Sequence, residues 1–183
     1  QRNQVENFKA SSATLLRETE LLFLRRMQNT PSIRGEFDRN FLTDRLNKIN
    51  GLLSNVNLEA NGSTFVFRSS NGNLVEPDQI SSGEAETVSL ASEILHFFET
   101  FTPEKFNILL LDEPDVHLHP DLQARLARFI LSLLEKMEEV HRNSAAIFIA
   151  THSSPLVCAF GSHSYTAIGT KDAGVDQIRL SAA

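Results

Sequence analysis

Cysteine is nearly missing from this 183-residue chain: Cys158 is the only one, so no internal disulfide framework can hold it together. Cys158 lies in the apolar run Leu156-Val157-Cys158-Ala159-Phe160, where a thiol is expected to pack as a small hydrophobe rather than react. No apolar run reaches the roughly 18 residues that a spanning helix needs, so no membrane partner is expected. The first residues carry no basic-then-apolar leader, and with so little cysteine the expected setting is a reducing cytoplasm. A basic surplus is absent as well. Lys and Arg number 17 against 23 Asp and Glu, a net charge of −6, which gives no sign of a nucleic-acid-binding surface within these residues. DNA contacts made by regions outside them stay open. No internal repeat or low-complexity segment occurs. What remains, at 41% apolar residues, is enough for one core and predicts one domain with an appendage.

The most informative segment present is Ile108-Leu109-Leu110-Leu111-Asp112-Glu113-Pro114. Four consecutive aliphatic residues predict a strand buried on both faces, and the run stops at two adjacent carboxylates. Open α/β sheets build their sites at the carboxyl ends of such strands. One acid there can hold magnesium through water while its neighbour polarises an attacking water, a pairing suited to nucleotide hydrolysis. An Asp and Glu merely opening a loop is the plainer alternative.

Two further segments bear on that choice. Gln79-Ile80-Ser81-Ser82-Gly83-Glu84 precedes apolar residues at Ala85, Val88, Ala91, Leu95 and Phe98, which is helical spacing. Ser81 and Glu84 stand as the two halves of a capping box. A helix beginning on small residues offers free N–H groups to a phosphate, and Gly83 would let a ligand approach the backbone, although an ordinary helix start has the same look. Downstream, Ala145-Ala146-Ile147-Phe148-Ile149-Ala150 predicts a second buried strand that ends at Thr151-His152. An imidazole there can donate to a phosphate oxygen or orient a water, or can simply be a loop histidine.

Taken in order, these segments resemble the ATP-binding cassette (ABC) ATPase superfamily over about residues 65 to 160. Ser81-Ser82-Gly83-Glu84 looks like the signature motif, and Ile108 to Glu113 like the Walker B strand with its catalytic Glu. Val116-His117-Leu118-His119 falls where the D-loop belongs, and His152 where the family carries its switch histidine. The wording Asp-Glu-Pro-Asp-Val-His-Leu-His-Pro is most similar to the non-transporter branch. That branch includes the overcoming-lysogenization-defect (OLD) nucleases, the chromosome-maintenance (SMC-type) ATPases, and the ATPase subunits of Septu-type and retron anti-phage systems.

The resemblance implies an ATP-dependent dimer clamp. ATP would lie between the phosphate loop of one cassette and Ser81, Ser82, Gly83 and Glu84 of the other, with Val116, His117, Leu118 and His119 at the dimer seam. Asp112 would hold Mg2+ through water, Glu113 would act as base, and His152 would contact the γ-phosphate. Implied partners are a second copy, a nuclease or toxin effector, and DNA. One departure is large: no Gly-x-x-x-x-Gly-Lys-Ser/Thr loop occurs in the 183 residues. The expectation is therefore the C-terminal part of an ABC-type α/β domain, a parallel sheet with flanking helices, completed by an N-terminal Walker A lobe of the same protein. By itself this part is expected to be inactive.

The chain divides accordingly. Residues 1–62 are expected to form a helical lobe or arm, with Leu-rich text at 13–27, a break at Pro31 and Gly35, and a second helix from Phe41 to Leu53. Residues 63–183 would form the half-core, opening with a strand at Ser63 to Arg68 and a turn at Ser70-Asn71-Gly72-Asn73. After the acidic strand, Pro120 can start a helix whose Leu122, Leu126, Phe129, Ile130, Leu133, Leu134 and Met137 share one face. A terminal strand pair is expected around Gly169 and Gly174. Two alternatives are weighed: a catalytically silent ABC-like scaffold, against which Glu113 speaks, and a metal-dependent hydrolase using Asp115, His117 and His119 as ligands.

Overall fold

The computed structural model describes residues 41–61, 64–102, 104–171 and 178–182. The expected helix at 13–27 and its break at Pro31 and Gly35 lie outside the described residues. The first described helix, α1 (Phe41–Asn50), buries Leu46 and Ile49, and Leu52 and Leu53 continue into the same core. The Asn50 side chain then does the work of a backbone amide. Its Nδ2 donates to Leu58 O at 3.0 Å and its Oδ1 accepts from Leu58 N at 2.7 Å, joining the helix end to the next strand.

That strand, β1 (Val56–Asn61), falls inside the segment expected to be helical. Val56 and Leu58 alternate inward while Asn57 and Glu59 face water, a period-two pattern that its Asn and Glu residues disguise. β1 pairs antiparallel with β2 (Thr64–Ser69), so one sheet crosses the expected division at residue 62. A short β3 (Leu74–Val75) adds to β2 after a tight turn in which Gly72 takes φ +80° and donates to Ser69 O.

The other half begins with α2 (Ser82–Glu99), which turns Val88, Ala91, Ile94 and Leu95 inward as its spacing predicts. Next come β4 (Asn107–Asp112), α3 (Pro120–Glu135), α4 (Glu139–Arg142), β5 (Ala145–Ala150) and α5 (Ser154–Phe160). β6 (Ala167–Lys171) and β7 (Ile178–Ala182) are the expected terminal pair, and they run antiparallel, with β6 continuing through Gly169. β4 and β5 are parallel, in register from Asn107 opposite Ala145 to Asp112 opposite Ala150, with α3 as their crossover. The α3 stripe of Leu122, Leu126, Phe129, Ile130 and Leu133 is buried, whereas Met137 lies beyond the helix end.

Burial on both faces of these strands is not what the fold provides. Leu109, Leu111, Ile147 and Ile149 face the core, but on the other face Ile108, Leu110 and Phe148 are 54%, 71% and 58% exposed. The described helices cover one side of the sheet only, so the aliphatic run serves two environments. Cys158 also departs from expectation. α5 buries Leu156 against α3, and two residues further round the short helix Cys158 is exposed.

The helical layer is pinned by a buried ion pair. Arg45 is fully buried on α1, and its Nη2 lies 3.0 Å from Glu99 Oε2 at the end of α2. Burial raises the Glu99 pKa above the ordinary carboxylate value, while Arg45 and then Lys48 pull it down. A raised pKa means that the folded state holds the proton more tightly, so this group's contribution is full below about pH 4.5 and is lost as pH rises through the raised value. Arg45→Met removes the main counter-charge. It should cost on the order of 3 kcal/mol at pH 7, since a buried carboxylate then loses its cation. Urea unfolding at two pH values checks this: the deficit should shrink towards pH 5, and a pH-independent deficit would mean that lost packing rather than charge is responsible.

Candidate functional site

The register of β4 on β5 decides what the two strand ends bring together. Asp112, the last residue of β4, is exposed beside Ala150, and the pairing runs one step further because Glu113 N donates to Ala150 O at 2.8 Å. At that point the backbone turns into the left-handed region, with Glu113 at φ +46°. A non-glycine residue there costs roughly 1–3 kcal/mol and persists only where its surroundings over-determine it. The Glu113 carboxylate is thereby aimed across to the β5 end, where its Oε1 lies 3.7 Å from His152 Nε2. His152 projects almost wholly into solvent, its side chain 92% exposed. It has no core-packing role in this fold.

The loop after Glu113 closes in two tight turns, Val116 N to Glu113 O and Leu118 N to Asp115 O, with a second left-handed residue, His117, at φ +66°. Val116 and His117 are exposed at its tip and Leu118 is buried. His119 is exposed and caps α3, its Nδ1 accepting from Asp121 N at 3.4 Å. The set Asp115, His117 and His119 is therefore dispersed: Asp115 accepts from the Thr151 hydroxyl, and His119 serves the helix. Among the described residues, no three His, Cys, Asp or Glu side chains converge on a common point, which removes the basis for the metal-dependent hydrolase alternative.

The α2 start is a worked-out cap. Ser81 Oγ accepts from Glu84 N at 3.2 Å and donates to Glu84 Oε2 at 3.0 Å. Glu84 Oε1 in turn accepts from Asn55 N at 3.0 Å, which ties the loop before β1 to the helix. Glu84 is buried by this work, whereas Ser82 is exposed on the first turn. Gly83 is buried too, and a Cβ there would stand 2.8 Å from the carbonyl oxygen of His117. The requirement for glycine thus has a source inside the chain, the close approach of helix and loop, independent of any ligand.

Sequence reasoning overlooked a set of polar contacts between the two strand-end loops. The Thr151 hydroxyl donates to Asp115 Oδ1 and accepts from Ser153 N. Ser153 Oγ meets Gln123 Oε1, and Gln123 Nε2 donates to Leu118 O at 2.8 Å. Gln123 is a buried polar residue within the apolar stripe of α3, which was the available signal.

These residues suit a magnesium nucleotide. Magnesium takes one or two carboxylates plus water and phosphate, and the site offers an exposed Asp112 at the strand end. Asp112 would hold the ion, whose role when bound is to neutralise phosphate charge. The exposed first turn of α2, with Ser82, presents N–H groups suited to phosphate oxygens.

Parallel strands, a crossover helix, carboxylates at one strand end and a histidine at the next form an α/β unit whose polar residues gather at the carboxyl edge of the sheet, where nucleotide-binding sites are built. Residues 4–159 match the family described as "AAA domain, putative AbiEii toxin, Type IV TA system", and the chain belongs to that family. Two solved structures share the fold. One, described as "Structural biochemistry of ATP-driven dimerization and DNA stimulated activation of SMC ATPases", is 14% identical with a TM-score of 0.55, covering 76% of this chain and 82% of that one. The other, "Crystal structure of the SmcHead bound to the C-winged helix domain of ScpA", is 12% identical with a TM-score of 0.61. It covers 99% of this chain but only 54% of its own, so the present chain spans about half of that head. No match to a curated protein was found.

The packing at the α2 start separates two neighbouring residues. Gly83→Ala should destabilise the protein by roughly 1–3 kcal/mol, because the new methyl meets a backbone carbonyl that cannot rotate away. Ser82→Ala, one residue earlier and exposed, should stay within about 0.5 kcal/mol. Equal thermal shifts for the two would show that the His117 carbonyl yields freely.

Proposed function

We propose that this chain supplies half of the catalytic machinery of an ATP-hydrolysing, dimer-forming switch. The observation that carries the reading is the convergence of Glu113 and His152, at 3.7 Å, beside an exposed Asp112. Neither side chain of the pair is needed by the core, and Glu113 is held there at a conformational cost. In this reading Glu113 accepts the proton of the water that attacks the terminal phosphate, and His152 donates to a phosphate oxygen as charge builds. Positioning and charge neutralisation do most of the work in such a transfer.

The other half of the site would come from two sources. The apolar sheet face of Ile108, Leu110 and Phe148 lies on the same side as Asp112, and a β–helix unit docked there would carry the phosphate loop that the chain lacks. A Walker A lobe of the same protein is the proposed occupant. A second copy would bring Ser82 and the exposed first turn of α2, capped by Ser81 with Gly83 and Glu84 buried behind it, to the γ-phosphate from across a seam that includes Val116 and His117. Of the loop residues assigned to that seam, Leu118 is buried, while Val116, His117 and the α3-capping His119 are exposed and would form its contact surface. ATP binding would then join two copies and hydrolysis would release them, a cycle suited to controlling a nuclease or toxin effector in DNA maintenance or anti-phage defence. The likeness to SMC heads, which are described as dimerising with ATP, supports the dimer on the level of fold.

In the complete protein, Glu113→Gln should lower ATP turnover at least about a hundredfold while nucleotide binding is retained, since the amide keeps the shape and loses the base. His152→Ala should lower turnover with little change in melting temperature, because the side chain is solvent-exposed. Turnover and nucleotide titration measured together decide the matter. Unaltered turnover in Glu113→Gln would remove the assigned base and with it this reading of the site.

A further inference from the structure

The contacts that join the two strand-end loops form two rungs of a ladder. In the first, Thr151 uses its hydroxyl in both directions, donating to the Asp115 carboxylate and accepting the Ser153 N–H at 2.9 Å. In the second, Ser153 Oγ meets Gln123 Oε1, while Gln123 Nε2 reaches Leu118 O at 2.8 Å and Asp115 O at 3.5 Å. Asp115 lies two residues after Glu113, and Thr151 immediately precedes His152. The ladder therefore clamps the backbone just after Glu113 and on both sides of His152. His152 is exposed and has no packing of its own, so the backbone position from which its imidazole reaches Glu113 is set by Thr151 and Ser153 on either side.

We propose that Asp115, Thr151 and Gln123 are positioning residues that form a latch between the two loops and hold the His152 imidazole against Glu113. The catalytic part of this proposal rests on the ATPase reading above, whereas the geometric part does not. Without the Thr151 hydroxyl, the Asp115 carboxylate loses its donor and the Ser153 N–H its acceptor, so of the two rungs that join the loops only the Gln123 one remains. An exposed imidazole then samples many directions, and the reacting arrangement is populated less often. Misplacement of this kind acts on turnover rather than on substrate affinity.

The test uses the complete protein with Thr151→Val, which keeps the shape and removes the hydroxyl, and Thr151→Ser, which restores it. Thr151→Val should lower kcat for ATP by roughly 10- to 100-fold with KM changed no more than about twofold, and Thr151→Ser should recover most of the rate. In a His152→Ala background Thr151→Val should cost nothing more, because its effect passes through the imidazole. Asp115→Asn, which retains an acceptor, should lie near wild type, and Asp115→Ala near Thr151→Val. Full additivity with His152→Ala, or a raised KM at unchanged kcat, would overturn the proposal.

A second arm is independent of turnover. With 13C-labelled histidine, Glu113→Gln should shift the His152 imidazole resonance in wild type and in Thr151→Ser, but not in Thr151→Val, where the two groups are no longer held together. The same shift persisting in Thr151→Val would reject the latch. If wild type instead hydrolyses no ATP, or Glu113→Gln hydrolyses it normally, the ATPase reading fails while the resonance experiment still decides whether the latch exists.

Discussion

The in-register parallel pairing of β4 with β5 is the constraint on which everything at the candidate site depends. A parallel pair places both carboxyl ends at the same edge, so residues that are remote in sequence leave the sheet side by side. Moving β5 by one residue would send its inward Ile147 and Ile149 to the outer face and bring Phe148 into the core. It would also carry Thr151 away from Asp115. The hydrophobic inner face therefore fixes the register, and the register fixes which polar groups meet. The core in this fold acts on chemistry at one remove, through strand alignment rather than through contact.

Strand alignment leaves the loop after β4 in an unfavourable conformation. Glu113 and His117 both adopt left-handed backbone, and the energy that keeps them there is spread over several weak ties. Glu113 N stays on the β5 ladder, Gly83 offers its bare Cα to the His117 carbonyl, Leu118 is buried, and Gln123 holds Leu118 O. The signature-like helix start and the loop after the acidic strand are therefore one packed unit within a single chain. Glu84 extends the unit to Asn55, so the start of α2 is tied to the antiparallel sheet as well. Ser82 and Val116 remain exposed at its surface, which makes them the groups a second molecule can reach.

Long periodic elements were legible in the sequence because their periods survive any tertiary context. The α2 and α3 stripes, the two aliphatic strands and the Gly72 turn all lie close to where spacing puts them. β1 was not, since Asn57 and Glu59 on its wet face weaken the strand signal while the Asn50 side-chain bonds that tether it form only once the chain between them has turned back. Hydropathy also reported Ile108 to Leu111 as buried on both faces, because a run of aliphatics carries no information on whether both covering layers are present. Cys158 misled for a related reason: on a helix of seven residues only one side can pack, and the neighbours of a cysteine in sequence are not its neighbours in space. The polar ladder was least legible of all. Asp115, Thr151, Ser153 and Gln123 are ordinary residues whose partnership exists only once the strand register is known.

The bare outer face and the strand-end acids share one side of the sheet, and this links assembly to chemistry in the proposed composite. Asp112 continues the row that begins with Ile108 and Leu110, so whatever covers those side chains also reaches the carboxylates at the end of the row. Covering apolar surface is worth roughly 25 cal/mol per Å2, and three large, half-exposed side chains supply a substantial part of a docking interface. The same act removes water from around Asp112, Glu113 and His152, where charge interactions then strengthen as the local dielectric falls. An exposed carboxylate and imidazole at 3.7 Å interact weakly in water, and they become an effective pair only when enclosed. Hydrophobic docking and activation of the pair are in that case a single event.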